Sequence, residues 1–310
     1  WQAADAAKQE ALTLRTNYDD AEAGLVAARE KLADTEYAAK AEAALAELAA
    51  AKRQAVDAIV AEIQKKAEPL LEAHAYTEVA KLMRDYEGRL ATETKGARYE
   101  LADGYDHRAR SKQIEIELWR VGLGEYLVKA DLMGLRSEVG AFIYRGDCKE
   151  IVAAATAATE DARDTIWRSF GAEVGQEVEI DTLKGSFKVS LVKVEGDQLY
   201  IARQVGTRTA RAVITLDQLS VAEHAKRLEG LDANAQALYL CAAAAERQEF
   251  EQAGTYAAKS LLATDALGAQ FQALALKREL EAVTDPEPVV AVKPPETTTT
   301  PGVVPAVDER

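Results

Sequence analysis

The residues that could carry acid–base or metal chemistry are few and scattered. Each of the three histidines, His74, His107 and His224, lacks a second histidine or a cysteine at the spacing of a metal site. Asp103, Asp106 and His107 come nearest to an acid–base group, but they lie in a glycine-punctuated segment where such residues commonly cap helices. We therefore assign no catalytic residue, no metal ligand and no cofactor, and we expect a chain that is not an enzyme.

Motifs that activate a nucleophile or hold a phosphate are also missing from the sequence. No serine lies in G-x-S-x-G, no G-x-x-x-x-G-K occurs, and VGLGEYL from Val121 has a bare G-x-G without a third glycine. The protein-kinase signatures are absent: no lysine lies in a V-A-I-K context, His107 and Arg108 are followed by alanine and so make no H-R-D, and no D-F-G occurs. If the chain belongs to a kinase, the catalytic domain lies outside these residues.

One local concentration of basic side chains surrounds Gly206, where Arg203, Arg208 and Arg211 make a candidate interaction loop. Such arginines could meet a carboxylate-rich peptide or RNA. They could equally form a solvated edge that discourages pairing between strands. Residues 172–220 hold seven acidic and six basic side chains, a balance that argues against a nucleic-acid footprint.

These arginines lie in a segment whose apolar period is two residues. Phe187, Val189 and Leu191 alternate with polar residues, and the apolar set then switches to Val192 and Val194. A change of parity within one strand predicts a bulge. With turns near Gly196 and Gly206, the pattern predicts four or five short strands over residues 172–219, a small β-barrel that resembles the SH3-like or Sm-like type.

The rest of the chain has the composition of helices, so the predicted fold is mainly α with a small β insertion. Residues 1–68, with a single glycine and no proline, predict one long helix or coiled coil that Pro69 ends. Its narrow stripe suits a coiled-coil hairpin, a helix on a partner, or a solvated helix, and it offers a route to a homo-oligomer. The stripe comprises Leu45, Leu48, Val56, Ile59 and Ile63.

Three segments that begin near His74, Gly146 and Gln248 share apolar or small residues at positions 0, 3, 4 and 7, which lie on one helical face. They predict helical hairpins over residues 69–171 and 220–284 that resemble tetratricopeptide-like repeats, although the copies begin 72 and 102 positions apart. Ordinary amphipathic helices are the alternative. The predicted repeat-packing residues are Tyr76, Ala80, Met83, Cys148, Val152, Phe250, Ala253 and Ala257.

Ser220 and Glu223 have capping-box spacing at the return from strand to helix. The order of hairpin, small β-unit with a DQLS exit, and hairpin resembles noncatalytic regions of bacterial membrane-anchored proteins, including regions attached to serine/threonine kinase domains. The resemblance implies a protein-binding scaffold or sensor at the periplasmic face of the cell envelope, with a cytoplasmic location as the alternative. The sensory region of a transmembrane kinase and an RNA-binding protein are the other functions considered.

The net charge and the absence of long apolar runs limit the classes of partner that we expect this chain to bind. The net charge of −14 repels nucleic acid and anionic lipid, so we expect protein partners. No run of eighteen apolar residues occurs, and we expect contact with a membrane only through an anchor upstream of Trp1.

Cys148 and Cys241 are expected to be small core residues. Residues 285–310, rich in proline and threonine, predict a disordered tail.

Overall fold

A computed structural model of the chain describes residues 1–205 and 208–284. These residues are mainly helical and carry one small antiparallel sheet, which confirms the predicted fold class at that level. The predicted tail over residues 285–310 and the turn at Gly206 lie outside the described residues. The elements are α1 (Gln2–Leu14), α2 (Tyr18–Lys31), α3 (Glu36–Glu72), α4 (Tyr76–Arg84), α5 (Lys95–Val128), α6 (Leu132–Ala141), α7 (Lys149–Ala172), β1 (Glu177–Thr182), β2 (Gly185–Glu195), β3 (Gln198–Val205), β4 (Arg208–Ile214), a 3₁₀ turn (Leu216–Gln218), α8 (Val221–Arg227), α9 (Ala233–Glu246), α10 (Phe250–Ala257) and α11 (Asp265–Thr284).

The chain divides into two compact units. The first contains residues 1–122 and 140–149, and the second contains residues 123–139 and 150 onwards. The first unit is helical, and the sheet belongs to the second.

The N-terminal region of the first unit is three helices, so the prediction of one long helix over residues 1–68 is wrong. The first break contains two non-glycine residues in the left-handed region, Arg15 with φ 52° and Asn17 with φ 56°. The second break ends at Thr35, whose hydroxyl accepts a hydrogen bond from the amide of Tyr37 and caps α3. Helix-favouring composition alone does not reveal such breaks, because the residues in the first one are not glycine.

Pro69 does not end the helix that contains it. α3 continues to Glu72, so the predicted break at residue 69 is also wrong. The proline lies in the last turn of α3, and the left-handed His74, with φ 54°, follows two residues after the helix ends. A proline in this position costs one backbone hydrogen bond but does not have to bend a long stretch of helix.

The apolar stripe of α3 is buried by helices of the same unit. Leu48, Ile59 and Ile63 are at most 2% exposed and belong to one apolar cluster with Tyr18 and Leu25 of α2. The alternative of a solvated single helix is therefore wrong for this face. Alanines complete the contact surface, because their small side chains let the helices approach closely: Ala41, Ala44, Ala55 and Ala67.

Three helix-to-helix turns share one geometry. In each, a left-handed residue with φ between 54° and 59° is followed by an amide that donates to the carbonyl five residues earlier, and a new helix begins at the next residue. This is a compact way to satisfy the last carbonyls of the first helix. The left-handed residues are His74, Ala130 and Gln248, and the helices that follow begin at Tyr76, Leu132 and Phe250.

The predicted repeat-packing residues lie largely where the pattern placed them. Ala80 and Met83 on α4, and Ala253 and Ala257 on α10, are buried, whereas Tyr76 and Phe250 are partly buried at the first residue of their helices. The third predicted copy differs. Cys148 is buried directly before α7 and Val152 is partly buried, but no left-handed turn among the described residues precedes them.

The turn at Ala130 leads to a helix with a similar spacing of apolar residues, which the sequence comparison did not identify. Leu132, Leu135 and Val139 repeat the 0, 3 and 7 spacing on α6, and the last two are buried. Position 4 of the 0, 3, 4 and 7 spacing is Arg136. Because arginine is neither apolar nor small, the sequence comparison did not detect this segment.

The sheet is a four-stranded antiparallel meander in the order β1-β2-β3-β4. Its register shifts between Leu191 and Lys193 of β2, which confirms the predicted bulge. The extra residue, Val192, is 48% exposed, and the apolar face resumes at Val194, which pairs with the buried Leu199.

The sheet is open, so the predicted closure into a barrel is wrong for the described residues. β1 pairs at its outer edge with residues 215–220, which connect β4 to α8 and which we call the exit segment, and not with β4: Thr182 bridges Leu219, and the Ser220 amide donates to the Asp181 carbonyl at 3.0 Å. β4 is the other end of the sheet and pairs only with β3 among the described strands. One edge is therefore covered, and one is free.

Candidate functional site

An apolar groove of about 470 Å³ lies on the face of the sheet that carries its buried residues. Val189, Ile201 and Ile214 line it and are at most 8% exposed. Phe187 on β2 is partly buried, and Leu183, in the turn between β1 and β2, is 56% exposed at the rim. We call this surface the sheet groove. It belongs entirely to the second unit.

The register of the strands explains why these side chains meet. Phe187 pairs with Ile180, and Ile201 pairs with Ala212, so alternate residues of neighbouring strands line one face. On β4 the groove-facing positions are Ala210 and Ala212, which are exposed and small. Because alanine fills little volume, the groove stays open at the free edge of the sheet.

Cationic side chains border the sheet groove. Lys184 and Arg203 line it, and the Arg203 guanidinium lies 4.9 Å from the centroid of the Phe187 ring, within the range of a cation–π contact. Arg208 lies two residues before Ala210 on β4 and so shares the same face. A carboxylate that entered the groove could pair with these cations without leaving the apolar floor.

The three arginines predicted as one interaction loop lie on strands, and they do not share a face. Arg203 and Arg208 point to the groove side, by the alternation of β3 and β4. Arg211 pairs with Ala202 and belongs to the opposite face. The structure thus brings two of the three predicted residues together and separates the third.

β4 offers a free strand beside the groove. Six of its seven residues, from Arg208 to Val213, are exposed. The backbone groups on its outer side have no partner strand within the described part of the chain. Such an edge is a template for an added strand.

A buried ion-pair network fixes the opposite edge of the sheet. Arg227, with 2% of its side chain exposed, donates to the Glu223 carboxylate at 2.6 Å and to the Glu173 carboxylate at 2.6 Å. The other oxygen of the fully buried Glu223 carboxylate accepts from the Asp181 amide of β1 at 3.2 Å. These bonds join β1, α8 and the residue that follows α7, so within the described residues one edge of the sheet is anchored and the other has no partner strand.

The predicted cap at Ser220 is present in part. The Ser220 hydroxyl accepts from the Glu223 amide at 3.0 Å, as a capping box requires. The Glu223 side chain does not complete the box, because its carboxylate oxygens bind Arg227 and the Asp181 amide. The Ser220 amide donates to Asp181 instead.

A second cleft in the same unit, of about 400 Å³, contains ionisable groups that the sequence patterns did not bring together. His224 donates from Nε2 to the Leu216 carbonyl oxygen at 3.0 Å; because a carbonyl oxygen can only accept, the ring proton is on Nε2. Arg247 donates to the same carbonyl at 3.3 Å and to the Leu219 carbonyl at 3.2 Å. These contacts hold the exit segment that covers β1.

The protonation states in this cleft follow from burial. Burial is the main cause that lowers the pKa of His224 to about 4; the hydrogen bond to Leu216 opposes it, and the nearby Arg247 charge adds to it, so the imidazole is neutral at pH 7. Burial also raises the pKa of Tyr239 to about 12, which keeps its phenol protonated. Arg163 is paired with Asp197 at 2.6 Å. No single feature of the sequence indicated this cleft, because its residues come from several distant segments.

The residues considered for acid–base chemistry in the sequence have structural partners. Asp103 and Asp106 of α5 both accept from Arg84 of α4, at 2.7 and 2.6 Å. The Arg84 guanidinium lowers the pKa of Asp106 below its usual range. His107 is exposed on α5. The pair of aspartates thus ties two helices of the first unit together.

The two cysteines behave as predicted for core residues. Cys148 and Cys241 are free and buried, and burial raises the pKa of both thiols, that of Cys241 to about 12.

Comparison with known protein families, with curated proteins and with solved structures finds no match for this chain. Across the described residues, no three His, Cys, Asp or Glu side chains are grouped as a metal site would require. Among the same residues, no helix has both the length and the apolar composition needed to cross a bilayer.

Proposed function

We propose that this chain is a non-enzymatic protein-interaction scaffold whose sheet binds an extended segment of a protein partner. The observation that carries the proposal is an apolar groove that opens at the outer edge of β4, which has no partner strand among the described residues: Ala210 and Ala212 of β4 leave space beside Ile201 and Phe187. An added strand would pair with the backbone of β4 and place alternate side chains over the groove.

The charges around the groove define the chemistry of that segment. Lys184, Arg203 and Arg208 lie on the groove side, in a protein whose net charge is −14. An apolar strand with an acidic residue at its end would bury apolar surface on the floor and pair its carboxylate with these cations. RNA is disfavoured by the overall charge.

Two features support the resemblances inferred from the sequence. The 3₁₀ turn over Leu216–Gln218 and the bridge from Leu219 to Thr182 return the chain beside the first strand of the small sheet. The shared turn geometry at His74, Ala130 and Gln248 favours helical hairpins of one type. A location at the cell envelope stays a prediction from the sequence.

A fluorescence-polarisation titration with a labelled synthetic peptide tests the proposed site. The peptide Glu-Thr-Val-Thr-Val-Thr-Glu places both valines and both glutamates on one face, in either strand direction. We expect it to bind the full chain, and we expect the version with lysine in place of both glutamates to bind about tenfold more weakly or not at all.

Two arginine variants distinguish the groove from a general charge effect. Arg203→Glu, on the groove side, should weaken binding of the acidic peptide by about tenfold, whereas Arg211→Glu, on the opposite face, should have a much smaller effect. Equal losses in the two variants, or no binding by the unmodified protein, would contradict the proposal.

A gel-shift titration with single-stranded RNA should give no shift, and a shift abolished by Arg203→Glu would favour RNA binding instead.

A further inference from the structure

A stripe of exposed apolar residues runs along α5 in the first unit. Ile114, Leu118 and Val121 are 54%, 67% and 48% exposed, and their spacing of four and three residues places them in one row. Isolated exposed apolar residues need no explanation, but a row of three large ones on one helix face is typical of a contact surface. We call it the α5 stripe.

The α5 stripe lies opposite the side of the helix that packs inside the unit. The buried residues of this part of α5 are Arg98, Ala102 and Lys112, and at 3.6 residues per turn they fall on the far side of the helix from Leu118. α5 therefore has two faces, one that its own unit covers and one that it does not. The uncovered face carries the 4-then-3 spacing of a coiled-coil seam.

Charges beside the α5 stripe favour a second copy of this chain as the occupant. In a parallel pair of helices, flanking residues five positions apart on the two chains lie next to one another. Arg110 and Glu115 flank the stripe with this separation, so two identical helices would form the Arg–Glu pair twice. An antiparallel pair centred on Leu118 would instead bring Glu117 of the two copies together, and two negative charges at close range repel each other.

The oligomer contact predicted from the sequence used the apolar face of the N-terminal helix, and that face is occupied. Leu48, Ile59 and Ile63 of α3 are buried within the unit. The apolar face of α3 is therefore not available to a second copy, whereas the α5 stripe is exposed and apolar.

From these observations we infer that two copies of the chain associate through the α5 stripe as a parallel helix pair, with Arg110 of each copy beside Glu115 of the other. Three apolar side chains from each copy bury less surface than a standard protein interface. The dimer is therefore weak, and its population rises with protein concentration. This inference is independent of the proposed peptide binding.

Sedimentation velocity of the full chain over a wide range of concentration tests the association. The unmodified protein should shift from monomer towards dimer as the concentration rises. Leu118→Asp should abolish the shift, because a charge would be desolvated in the seam. Leu276→Asp, at a leucine of α11 with 58% exposure, is the matched control and should leave the shift unchanged. An unmodified protein that stays monomeric, or a dimer that survives Leu118→Asp, overturns the inference.

Charge exchange tests the register. Arg110→Glu and Glu115→Arg should each weaken the dimer by about fivefold, since each makes two like-charged pairs, and the double variant should restore it. Failure of the double variant to recover would rule out this pairing.

A disulfide trap tests the parallel direction. Ser111 lies seven residues before Leu118 in the same row and would face its counterpart in a parallel pair. Ser111→Cys should form a crosslinked dimer under mild oxidation, whereas Ser137→Cys, an exposed position of α6, should not. Because Cys148 and Cys241 are buried, they should contribute little background. Absence of the crosslink in a protein that does dimerise would contradict the parallel arrangement.

Discussion

At the scale of single residues, burial decides what the ionisable groups of the second unit can do. His224 is 2% exposed, its Nε2 is bonded to the Leu216 carbonyl, and its Nδ1 is buried without a hydrogen-bond partner in the described residues. A positive charge there would face the guanidinium of Arg247. The imidazole is therefore neutral, and its hydrogen bond to the Leu216 carbonyl holds the exit segment that covers β1.

The buried imidazole predicts a specific loss of stability in acid. The pKa of His224 is about 4 in the folded chain against 6.5 in the unfolded one, so the unfolded state gains the proton first as the pH falls. The stabilisation is complete above pH 6.5 and is lost on the way down to pH 4. Between pH 7 and pH 5 we expect a loss of about 2 kcal/mol in the free energy of unfolding, measured by urea denaturation.

His224→Gln is the matched variant for this test. Its side-chain amide can still donate to the Leu216 carbonyl, but it does not titrate. The variant should have a smaller loss between the two pH values than the unmodified protein. Equal losses would show that carboxylates, and not this imidazole, control acid stability.

At the scale of elements, the fold depends on the network that joins α7, β1 and α8. Arg227→Met removes the cation and leaves the fully buried Glu223 carboxylate without its partner, so we expect a loss of about 3–5 kcal/mol in the free energy of unfolding. Thermal and urea denaturation measure this loss. Adding Glu223→Gln should recover part of it, because the uncompensated charge is then gone.

The neighbouring lysine supplies the control. Lys226 lies 3.8 Å from Glu223, but its side chain is 53% exposed, so Lys226→Met should cost less than about 1 kcal/mol. Similar costs at the two positions would mean that the network contributes no more than a surface pair.

The helices and strands also show which structural features the sequence patterns could predict. The two-residue period and its parity switch at Leu191 predicted the sheet and its bulge. One face of the sheet is buried, so the polarity of each residue indicates the face on which its side chain lies. The breaks at Arg15 and Asn17 were not predictable, since residues other than glycine adopt the left-handed conformation there. The open sheet was missed because the outer edge of β1 pairs with Leu219, a residue distant in sequence, and not with β4.

Only part of the candidate site could be predicted from the sequence, because the rest depends on how distant residues pair. The arginines near Gly206 stood out by composition, but their faces depend on the pairing of β3 with β4. The groove itself arises from what is small, Ala210 and Ala212, and alanine is common throughout this chain. The α5 stripe lies in a helix whose opposite side is also used for packing, so its periodicity is blurred.

At the scale of the whole molecule, two electrostatic effects compete for an acidic partner. The net charge of −14 repels it from a distance, whereas Arg203 and Lys184 attract it at the groove. At physiological ionic strength charges are screened beyond about 8 Å, so the distant repulsion is weakened far more than a direct contact. The local cations should therefore decide which segments bind, and the acidic surface keeps other anions away.

The central claim is that the free strand β4 and the groove beside it receive the partner. Hydrogen–deuterium exchange of the full chain, with and without the Glu-Thr-Val-Thr-Val-Thr-Glu peptide, tests it most directly. We predict slower exchange of the β4 amides, residues 208–214, and no change in β1, whose outer edge is already paired. Protection confined to the helices, with β4 exchanging at its free rate under saturating peptide, would contradict the account.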